Sequence, residues 1–283
     1  MVIVTSGKTL DGKPCEFYLD ETLVENLDVI KKRVMSGAWD SKILVCGYSG
    51  VGKSHTTQFF ARYLCPWFDH TYYCFSVDEF MEKCSTCPEY SSVVLDECFE
   101  SMNSKAALSR EFQKVISFLQ IIRQRHLFIF LVLPNFFDLN KSVALYNSSL
   151  LVVCYDNLGK RGQYLVFDRE KKKNLFIRGH KMMDYSVEEA NIRGHVNSTP
   201  IIDWKKYEGR KTEHLLQQIK SEQKESKSRP SIERDRLISY CKEILGLSVD
   251  RLKEICVMPQ RTIYDSINRQ KDYVIKRFKE EIE

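Results

Sequence analysis

The sequence contains no apolar stretch long enough to cross a membrane. Its most apolar run, residues 127–133, has the length of one buried strand. The first residues, Met1 to Val4, carry no signal-peptide pattern, so we expect a cytosolic protein without a membrane span. The ten cysteines also lack the spacing of a secreted disulfide framework, and we expect reduced thiols, several of them buried.

A zinc site is the alternative use of these cysteines. Cys84 and Cys87 have the spacing of a ligand pair, with Cys74 and Cys98 nearby. No histidine accompanies the pair, and Cys74 lies in a predicted strand. The pattern therefore favours buried thiols over a metal site.

An excess of positive charge is missing from most of the chain, whose formal net charge is +5 at pH 7. Residues 205–283 contain 19 Lys and Arg against 14 Asp and Glu, an excess of five, so residues 1–204 are neutral. A neutral segment does not offer a broad basic surface to nucleic acid. We therefore expect any affinity for DNA to lie mainly in the C-terminal part.

Residues 42–54 have the pattern of a phosphate-binding loop. The apolar run 43–46 predicts a buried strand, and residues 56–63 predict a helix, which is the required setting for such a loop. Its glycines let backbone N–H groups point at a triphosphate, with Lys53 on the β- and γ-phosphates and Ser54 on Mg²⁺. The alternative is a glycine-rich turn with a chance lysine. The predicted nucleotide contacts are Gly47, Tyr48, Ser49, Gly50, Val51, Gly52, Lys53, Ser54 and His55.

Residues 91–97 predict a second buried strand, which runs into two acids, Asp96 and Glu97. Ligands of α/β proteins gather at the carboxyl ends of parallel strands. Asp96 is suited to hold the Mg²⁺ shell, and Glu97 to polarise an attacking water. The alternative is a strand that ends in two solvated acids.

Hydrophobic periodicity and turn residues predict the other elements. Asn135, after the predicted strand 126–133, is either a sensor of the γ-phosphate or a turn former. We predict helices over 23–34 (with Thr22 as N-cap), 78–83 and 104–125, strands over 71–76 and 150–155, and a hairpin of 163–167 with 174–177 whose loop is 168–173.

These motifs together resemble the P-loop ATPases that carry a catalytic glutamate, a superclass that includes AAA+ proteins and the FtsK–HerA pumps. Those families place an extra strand between the loop strand and the acid strand, as residues 72–76 would do here. Residues 128–139 look most like ATPases of phages and mobile elements related to FtsK–HerA and zonular-occludens-toxin proteins. The resemblance covers residues 40–180.

The resemblance implies an α/β fold with a parallel sheet, ATP and Mg²⁺ as ligands, and Lys53, Glu97 and Asn135 as catalytic residues. It also implies a possible homo-oligomer, in the host cytoplasm if the protein is viral. Ring ATPases of this kind donate an arginine finger to a neighbour. The candidates here are Arg110, Arg123, Arg125 and Arg161.

The C-terminal part predicts a small helical module. Residues 206–230 are polar and form a linker or an exposed helix that ends at Pro230. Helices are predicted over 232–245 and 249–256, with a third from Pro259, and together they resemble a helix-turn-helix domain. The alternative is a bundle for protein contact. The third helix would present Gln260, Arg261, Thr262, Tyr264, Asp265, Asn268 and Arg269 to DNA.

The hydrophobic and charged contents, 43% and 29%, are those of a soluble globular protein. At 283 residues we expect an ATPase domain over 1–205, a linker over 206–230 and a helix-turn-helix domain over 231–283. The expected activity is ATP-driven work on DNA, such as translocation, packaging, transfer or assembly. The alternatives are a nucleotide-switched DNA-binding regulator with slow turnover and a P-loop kinase, which the paired acids at 96–97 disfavour.

Overall fold

A seven-stranded sheet forms the centre of the N-terminal part of this computed structural model. The structure describes residues 2–9, 11–37, 39–96, 110–139, 141–146, 148–225 and 229–280. The chain divides into two units, Met1–Lys211 and Thr212–Glu283. The strands of the first unit are β1 (Val2–Lys8), β2 (Pro14–Leu19), β3 (Ser41–Cys46), β4 (Tyr73–Cys74), β5 (Ser92–Leu95), β6 (Phe128–Leu133), β7 (Leu150–Asn157), β8 (Lys160–Phe167) and β9 (Ile192–His195).

The sheet order is β4-β5-β6-β3-β7-β8-β9, and β1 and β2 form a separate antiparallel pair. The first five strands of this order run parallel, whereas β8 is antiparallel to both neighbours. Strands β3, β5 and β6 are buried at every position. This explains their near-continuous apolar sequences, because helices cover both faces of a parallel sheet.

Side chains of β3 alternate between two cores, one on each face of the sheet. Ile43 and Val45 join the core beneath the first two helices, and Leu44 and Cys46 join the core on the opposite face. The predicted α/β fold with a mainly parallel, helix-flanked sheet is confirmed.

The helices as far as residue 225 are α1 (Glu21–Met35), α2 (Lys53–Leu64), α3 (Val77–Thr86), α4 (Arg110–Ile121), α5 (Lys141–Leu145), α6 (Arg169–Gly179) and α7 (Trp204–Glu225).

The strand that separates β3 from β5 is β6, so the prediction that residues 72–76 lie there was wrong. The strand in that region, β4, has only two residues and pairs with β5 at the edge of the sheet. The inner position suits β6 because its sequence is fully apolar. In that position both of its faces and both of its edges are covered. As a result, the carboxyl end of β6 lies between those of β3 and β5.

The predicted hairpin of residues 163–167 with 174–177 was also wrong. The hairpin is instead β7 with β8, and residues 169–179 form α6. The Asp168 side chain accepts a hydrogen bond from Lys171 N at 2.8 Å, which caps the first turn of the helix. Leu175 and Phe176 are buried beneath it. At the other end of the first unit, α1 begins one residue before Thr22, and its N-cap is Asp20.

Among its described residues, the second unit contains the end of α7 and the helices α8 (Arg229–Glu243), α9 (Val249–Cys256) and α10 (Gln260–Glu280), and the last three pack together. They enclose a small apolar core of Ile238, Val249, Leu252, Ile263 and Ile267. Ser248 caps α9 as predicted, by accepting a hydrogen bond from Arg251 N at 3.2 Å. Residues 204–225 form one helix, so the predicted polar segment is helical as far as residue 225. Among the residues that the structure describes, no helix has the length and apolarity needed to span a membrane.

Candidate functional site

The phosphate loop begins at Gly47, directly after β3. Gly47 has φ +144°, and a Cβ atom there would lie 2.2 Å from the carbonyl oxygen of Cys154 on β7. A side chain is therefore excluded, which lets the loop turn close to the sheet. Gly47 N donates to the carbonyl oxygen of Pro134 at 3.3 Å, and this bond ties the loop to the end of β6.

Helix α2 starts directly at the end of the loop. Its N-cap, Gly52, has φ +94° and contributes no side-chain hydrogen bond. The first backbone N–H groups of α2 therefore face the loop, where the positive end of the helix favours an anion. The sequence predicted this strand–loop–helix arrangement, and the structure contains it.

Lys53 lies across the loop that it follows. Its Nζ atom donates to the carbonyl oxygens of Gly47 at 2.8 Å and Tyr48 at 3.0 Å. The ammonium group is thus held at the mouth of the loop, the position from which a lysine contacts nucleotide phosphates. Tyr48 itself projects outward and is 84% exposed.

Ser54 and Asp96 meet, as the sequence predicted. Ser54 Oγ donates to Asp96 Oδ2 at 2.9 Å, and Asp96 is fully buried at the end of β5. Because the hydroxyl proton points at the carboxylate, the oxygen lone pairs of Ser54 remain for a cation. Both side chains offer the hard oxygen ligands that Mg²⁺ prefers, so the pair fits a magnesium site.

Two other residues, Glu97 and Asn135, were also predicted to be catalytic. Glu97 lies outside the described residues. Asn135 follows β6, and its Oδ1 accepts hydrogen bonds from Tyr185 Oη at 2.8 Å and Phe137 N at 3.3 Å. Burial raises the pKa of Tyr185, which keeps its hydroxyl protonated as a donor. These contacts are those of a turn former, and a role for Asn135 as γ-phosphate sensor stays a prediction.

Two residues of α7 complete the site, and sequence reasoning missed both. Tyr207 Oη donates to Asp96 Oδ2 at 2.5 Å, and Lys211 Nζ lies 3.7 Å from the same oxygen. Burial, together with the charge of Asp96, raises the pKa of Tyr207, so its hydroxyl remains a donor. The available signal was the spacing of Trp204, Tyr207 and Lys211, which places them near one face of a helix within a segment that otherwise reads as polar.

Ser54, Tyr207 and Lys211 line a cavity of about 940 Å³ in the first unit. Four cationic side chains lie around it, and their charge suits a polyphosphate: Lys53, Lys160, Arg161 and Lys211. Of the predicted nucleotide contacts, Gly50, Gly52, Lys53, Ser54 and His55 line this cavity.

His55 lies on the wall of the cavity in a fixed orientation. Its Nε2 lies 2.7 Å from the carbonyl oxygen of Asn197, and its Nδ1 lies 2.9 Å from Gln58 Nε2. Burial lowers the pKa of His55, so the ring is neutral at pH 7 with Nε2 as the donor. His55 therefore adds no charge to the site.

The arginine-finger candidates occupy different places. Arg161 lines the cavity beside the loop, where Gly162 N donates to the carbonyl oxygen of Val51 at 3.4 Å. Arg123 stacks on Trp39, and Arg125 donates to the carbonyl oxygen of Cys87. The side chain of Arg110 is not among those described.

The candidate cysteine cluster consists of buried thiols where it is described. Cys74, Cys84 and Cys87 are buried, and burial raises the pKa of each. Cys98 lies outside the described residues. Within the described part of the chain, no group of three His, Cys, Asp or Glu side chains has the geometry of a metal site.

The predicted DNA contacts lie on the first turns of α10. Gln260, Arg261, Tyr264 and Asn268 are exposed, whereas Thr262 is half-buried. Arg269 Nη1 lies 3.2 Å from Oδ2 of the buried Asp235, so the Arg269 guanidinium group forms an ion pair within the second unit.

The mainly parallel sheet, the phosphate loop and the Ser54–Asp96 pair together form an α/β fold with a strand–loop–helix phosphate site. Comparison with solved structures finds the N-terminal domain of zonular occludens toxin from Neisseria meningitidis, at 16% identity and a TM-score of 0.34. That similarity covers 46% of this chain and 85% of that domain.

Another similar structure is the genome packaging NTPase B204 from Sulfolobus turreted icosahedral virus 2. Its complex with ATP-gammaS shows 12% identity and a TM-score of 0.34, and its complex with AMPPCP shows 14% and 0.33. Each covers 47% of this chain and 94% of B204. No family model matches the sequence, and no curated protein matches it.

Proposed function

We propose that this protein is a Mg²⁺-dependent ATPase that acts on DNA, in translocation, packaging, transfer or assembly for a phage or mobile element. The observation that carries the proposal is the hydrogen bond between Ser54, which lines a cavity with four cationic side chains, and the buried Asp96. Mg²⁺ held by these two residues would neutralise phosphate charge.

In this proposal each residue has a separate task. The backbone N–H groups of the loop and of the first turn of α2 bind phosphate oxygens, and Lys53 reaches the β- and γ-phosphates. Ser54 and Asp96 would hold the metal, which would supply positive charge beside the phosphates, and Glu97 orients and polarises the attacking water. Asn135, after β6, is the proposed sensor of the γ-phosphate.

DNA is the proposed macromolecular partner, and the first turns of α10 are its proposed binding surface. Arg261, Tyr264 and Asn268 are exposed there, and α10 carries six Lys and Arg against three Asp and Glu. Helices that read DNA present such side chains from their N-terminal turns. A homo-oligomer is part of the same proposal.

The test is phosphate release by the purified protein, with and without DNA, in wild type and in Lys53→Ala. Removing the Lys53 ammonium group deletes a charge that faces the phosphates, so hydrolysis should fall on the order of 10²-fold. The fold should survive because the described hydrogen bonds of the Lys53 ammonium group are to backbone carbonyl oxygens of the loop. Lys32→Ala, an exposed change on α1, is the matched control and should keep wild-type turnover.

Each outcome separates the candidate functions. Hydrolysis that DNA accelerates supports the proposal, while tight nucleotide binding without turnover would support the nucleotide-switched regulator. Phosphate transfer to a small acceptor in place of release would support a kinase. Wild-type turnover in Lys53→Ala would remove the phosphate-loop assignment altogether.

A further inference from the structure

Helix α7 is anchored against the nucleotide cavity by aromatic packing. Tyr207 is only 2% exposed, and its ring centroid lies 4.8 Å from that of Tyr73 and 4.5 Å from that of Trp204. Arg210 forms an ion pair with Glu79 and donates to the carbonyl oxygen of His70. The first two turns of α7 are therefore fixed at this wall, and the side chains they direct inward are part of the site.

Lys211 follows Tyr207 by one helical turn, so both side chains lie on the same face of α7. The Lys211 Nζ atom lies 3.7 Å from Asp96 Oδ2, and 23% of its side chain is exposed. Its ammonium group passes over the Tyr207 ring, 5.9 Å from the centroid, and lines the cavity together with Lys53. Lys211 thus faces the same space as the phosphate loop.

Three groups converge on one oxygen of Asp96: Ser54 and Tyr207 donate hydrogen bonds to it, and the Lys211 ammonium group forms an ion pair with it. A divalent cation held by Ser54 and Asp96 would repel a lysine ammonium group at this distance. A nucleotide in the cavity would bring several phosphate charges within reach of the same ammonium group. Electrostatics therefore favours transfer of the Lys211 contact from the carboxylate to a phosphate.

We propose that Lys211 is a second phosphate-binding lysine, which α7 supplies to the site of its own chain. Its ammonium group rests on Asp96 and moves to the terminal phosphate when Mg²⁺ and ATP bind. Tyr207 is the positioning residue, because its buried ring and its hydrogen bond to Asp96 place α7 at this distance. The inference rests on the proposed ATPase function and predicts that Lys211 discriminates ATP from ADP.

The experiment is calorimetric binding of ATP-gammaS and of ADP, each with Mg²⁺, to the full-length protein. In Lys211→Met we expect the affinity for ATP-gammaS to fall about tenfold, the typical worth of one charge-assisted hydrogen bond. The affinity for ADP should stay within about twofold of wild type, since the contact is to the terminal phosphate. Lys211→Arg keeps the charge and should retain most of the preference for ATP-gammaS.

Lys206→Met is the matched control. Lys206 is on the same helix and forms an ion pair with Asp203 at 3.3 Å, and 66% of its side chain is exposed outside the cavity. This variant loses the same charge and should bind both nucleotides as the wild type does. A general charge effect would instead weaken binding in Lys206→Met and Lys211→Met alike, and that result would overturn the inference.

Other results with Lys211→Met would also overturn the inference. Equal losses for ATP-gammaS and ADP in Lys211→Met, or no loss for either, would mean that Lys211 does not contact the terminal phosphate. A Lys211→Met protein that fails to fold would make Lys211 a structural partner of Asp96. If the wild type binds neither nucleotide, the proposed function itself fails, and this is distinguishable because the defect is present before any substitution.

Discussion

Lys172 is a buried lysine that is hydrogen-bonded inside the fold. It is fully buried on α6, and its ammonium group donates to the carbonyl oxygen of Ser148 at 2.6 Å and to the hydroxyl group of the same residue. Burial lowers the pKa of Lys172 to about 7, with a smaller contribution from the charge of Arg169. The unfolded chain therefore binds a proton that the folded protein releases just above neutral pH.

This difference predicts that stability rises with pH. Because the pKa of Lys172 is lower in the folded state than its ordinary value of 10.5, the free energy of unfolding should increase from about pH 7 upward. The contribution of Lys172 to this slope approaches about 1.4 kcal/mol per pH unit for one proton, and it is measured as the difference between wild type and Lys172→Met in urea unfolding between about pH 7 and 8.5. Lys172→Met should remove that slope.

Lys173→Met is the matched control, because Lys173 is the exposed neighbour on the same helix, and it should keep the slope. Above that range the trend should reverse. Burial raises the pKa of Cys46 and of Cys154 to about 12, so the stability that their neutral thiols contribute is lost at higher pH. Equal slopes in Lys172→Met and wild type would contradict the assignment.

Glu97 tests the division of labour between the two acids. Asp96 is buried and hydrogen-bonded to Ser54, so we expect the adjacent acid, Glu97, to polarise the attacking water. Glu97→Gln keeps the size of the side chain and loses its charge. We expect nucleotide binding to persist while hydrolysis drops on the order of 10²-fold or more. Loss of binding and turnover together would show that Glu97 is structural or that Asp96 carries both roles.

At the level of residues, the sequence predicted the parts of the site that are local in the chain. Lys53 and Ser54 follow the loop directly in the chain, at the start of α2, and Asp96 is recognisable as the acid at the end of an apolar strand. Tyr207 was not predicted, because 111 residues separate it from Asp96 and no short-range pattern connects them. Such contacts depend on how helices pack against the sheet, which periodicity does not specify.

The elements were predicted well where their burial is complete. Strands β3, β5 and β6 are buried on both faces, so their apolar runs indicated them directly. Helix α6 was missed because it buries Lys172 beside Leu175 and Phe176, and a buried lysine breaks the apolar pattern of its inner face. A short apolar run within it was then mistaken for a strand. Sheet order also lay beyond sequence, since β4 and β6 both follow the loop strand.

Asp168 is the residue that should decide whether α6 forms. Its Oδ1 accepts from Lys171 N at 2.8 Å, and its Oδ2 accepts from Asn191 Nδ2 at 2.9 Å. Asp168→Ala removes both bonds and should lower the free energy of unfolding by about 1–2 kcal/mol, as for the loss of a helix N-cap. The measurement is chemical denaturation, with Glu170→Ala, an exposed change in the same first turn, as control. Equal effects of the two substitutions would contradict the capping role.

At the scale of the molecule, the division into two units changes where the positive charge belongs. The excess begins at Lys205, but Lys205, Lys206, Arg210 and Lys211 lie in the first unit, which extends to Lys211. Residues 212–283 carry 15 Lys and Arg against 13 Asp and Glu, so their excess is two. If the second unit binds DNA, as we propose, the affinity must come from a local surface, and α10 is the candidate.

A truncated protein that ends at Gln218 tests which unit binds DNA. It keeps Tyr207 and Lys211 and loses α8, α9 and α10, so we expect basal ATPase activity to persist and most DNA affinity to disappear. DNA binding is measured by fluorescence anisotropy at several salt concentrations, because phosphate contacts release counterions and weaken as salt rises. If residues 229–283 bind no DNA at low salt while the truncated protein does, the three helices are better interpreted as a docking module for another protein.

Arg261 distinguishes reading of bases from contact with phosphates in the full-length protein. Arg261→Ala should weaken binding by about 1–3 kcal/mol and relax sequence preference if the guanidinium group reads a guanine edge. If it meets only phosphate, the loss should be similar for all sequences, and the salt dependence should fall by about one counterion. Arg251→Ala is the control, because Arg251 is exposed on α9 and is paired with Glu254 at 2.9 Å. Equal losses for Arg251→Ala and Arg261→Ala would indicate attraction to the whole unit, and α10 would then have no special place in DNA binding.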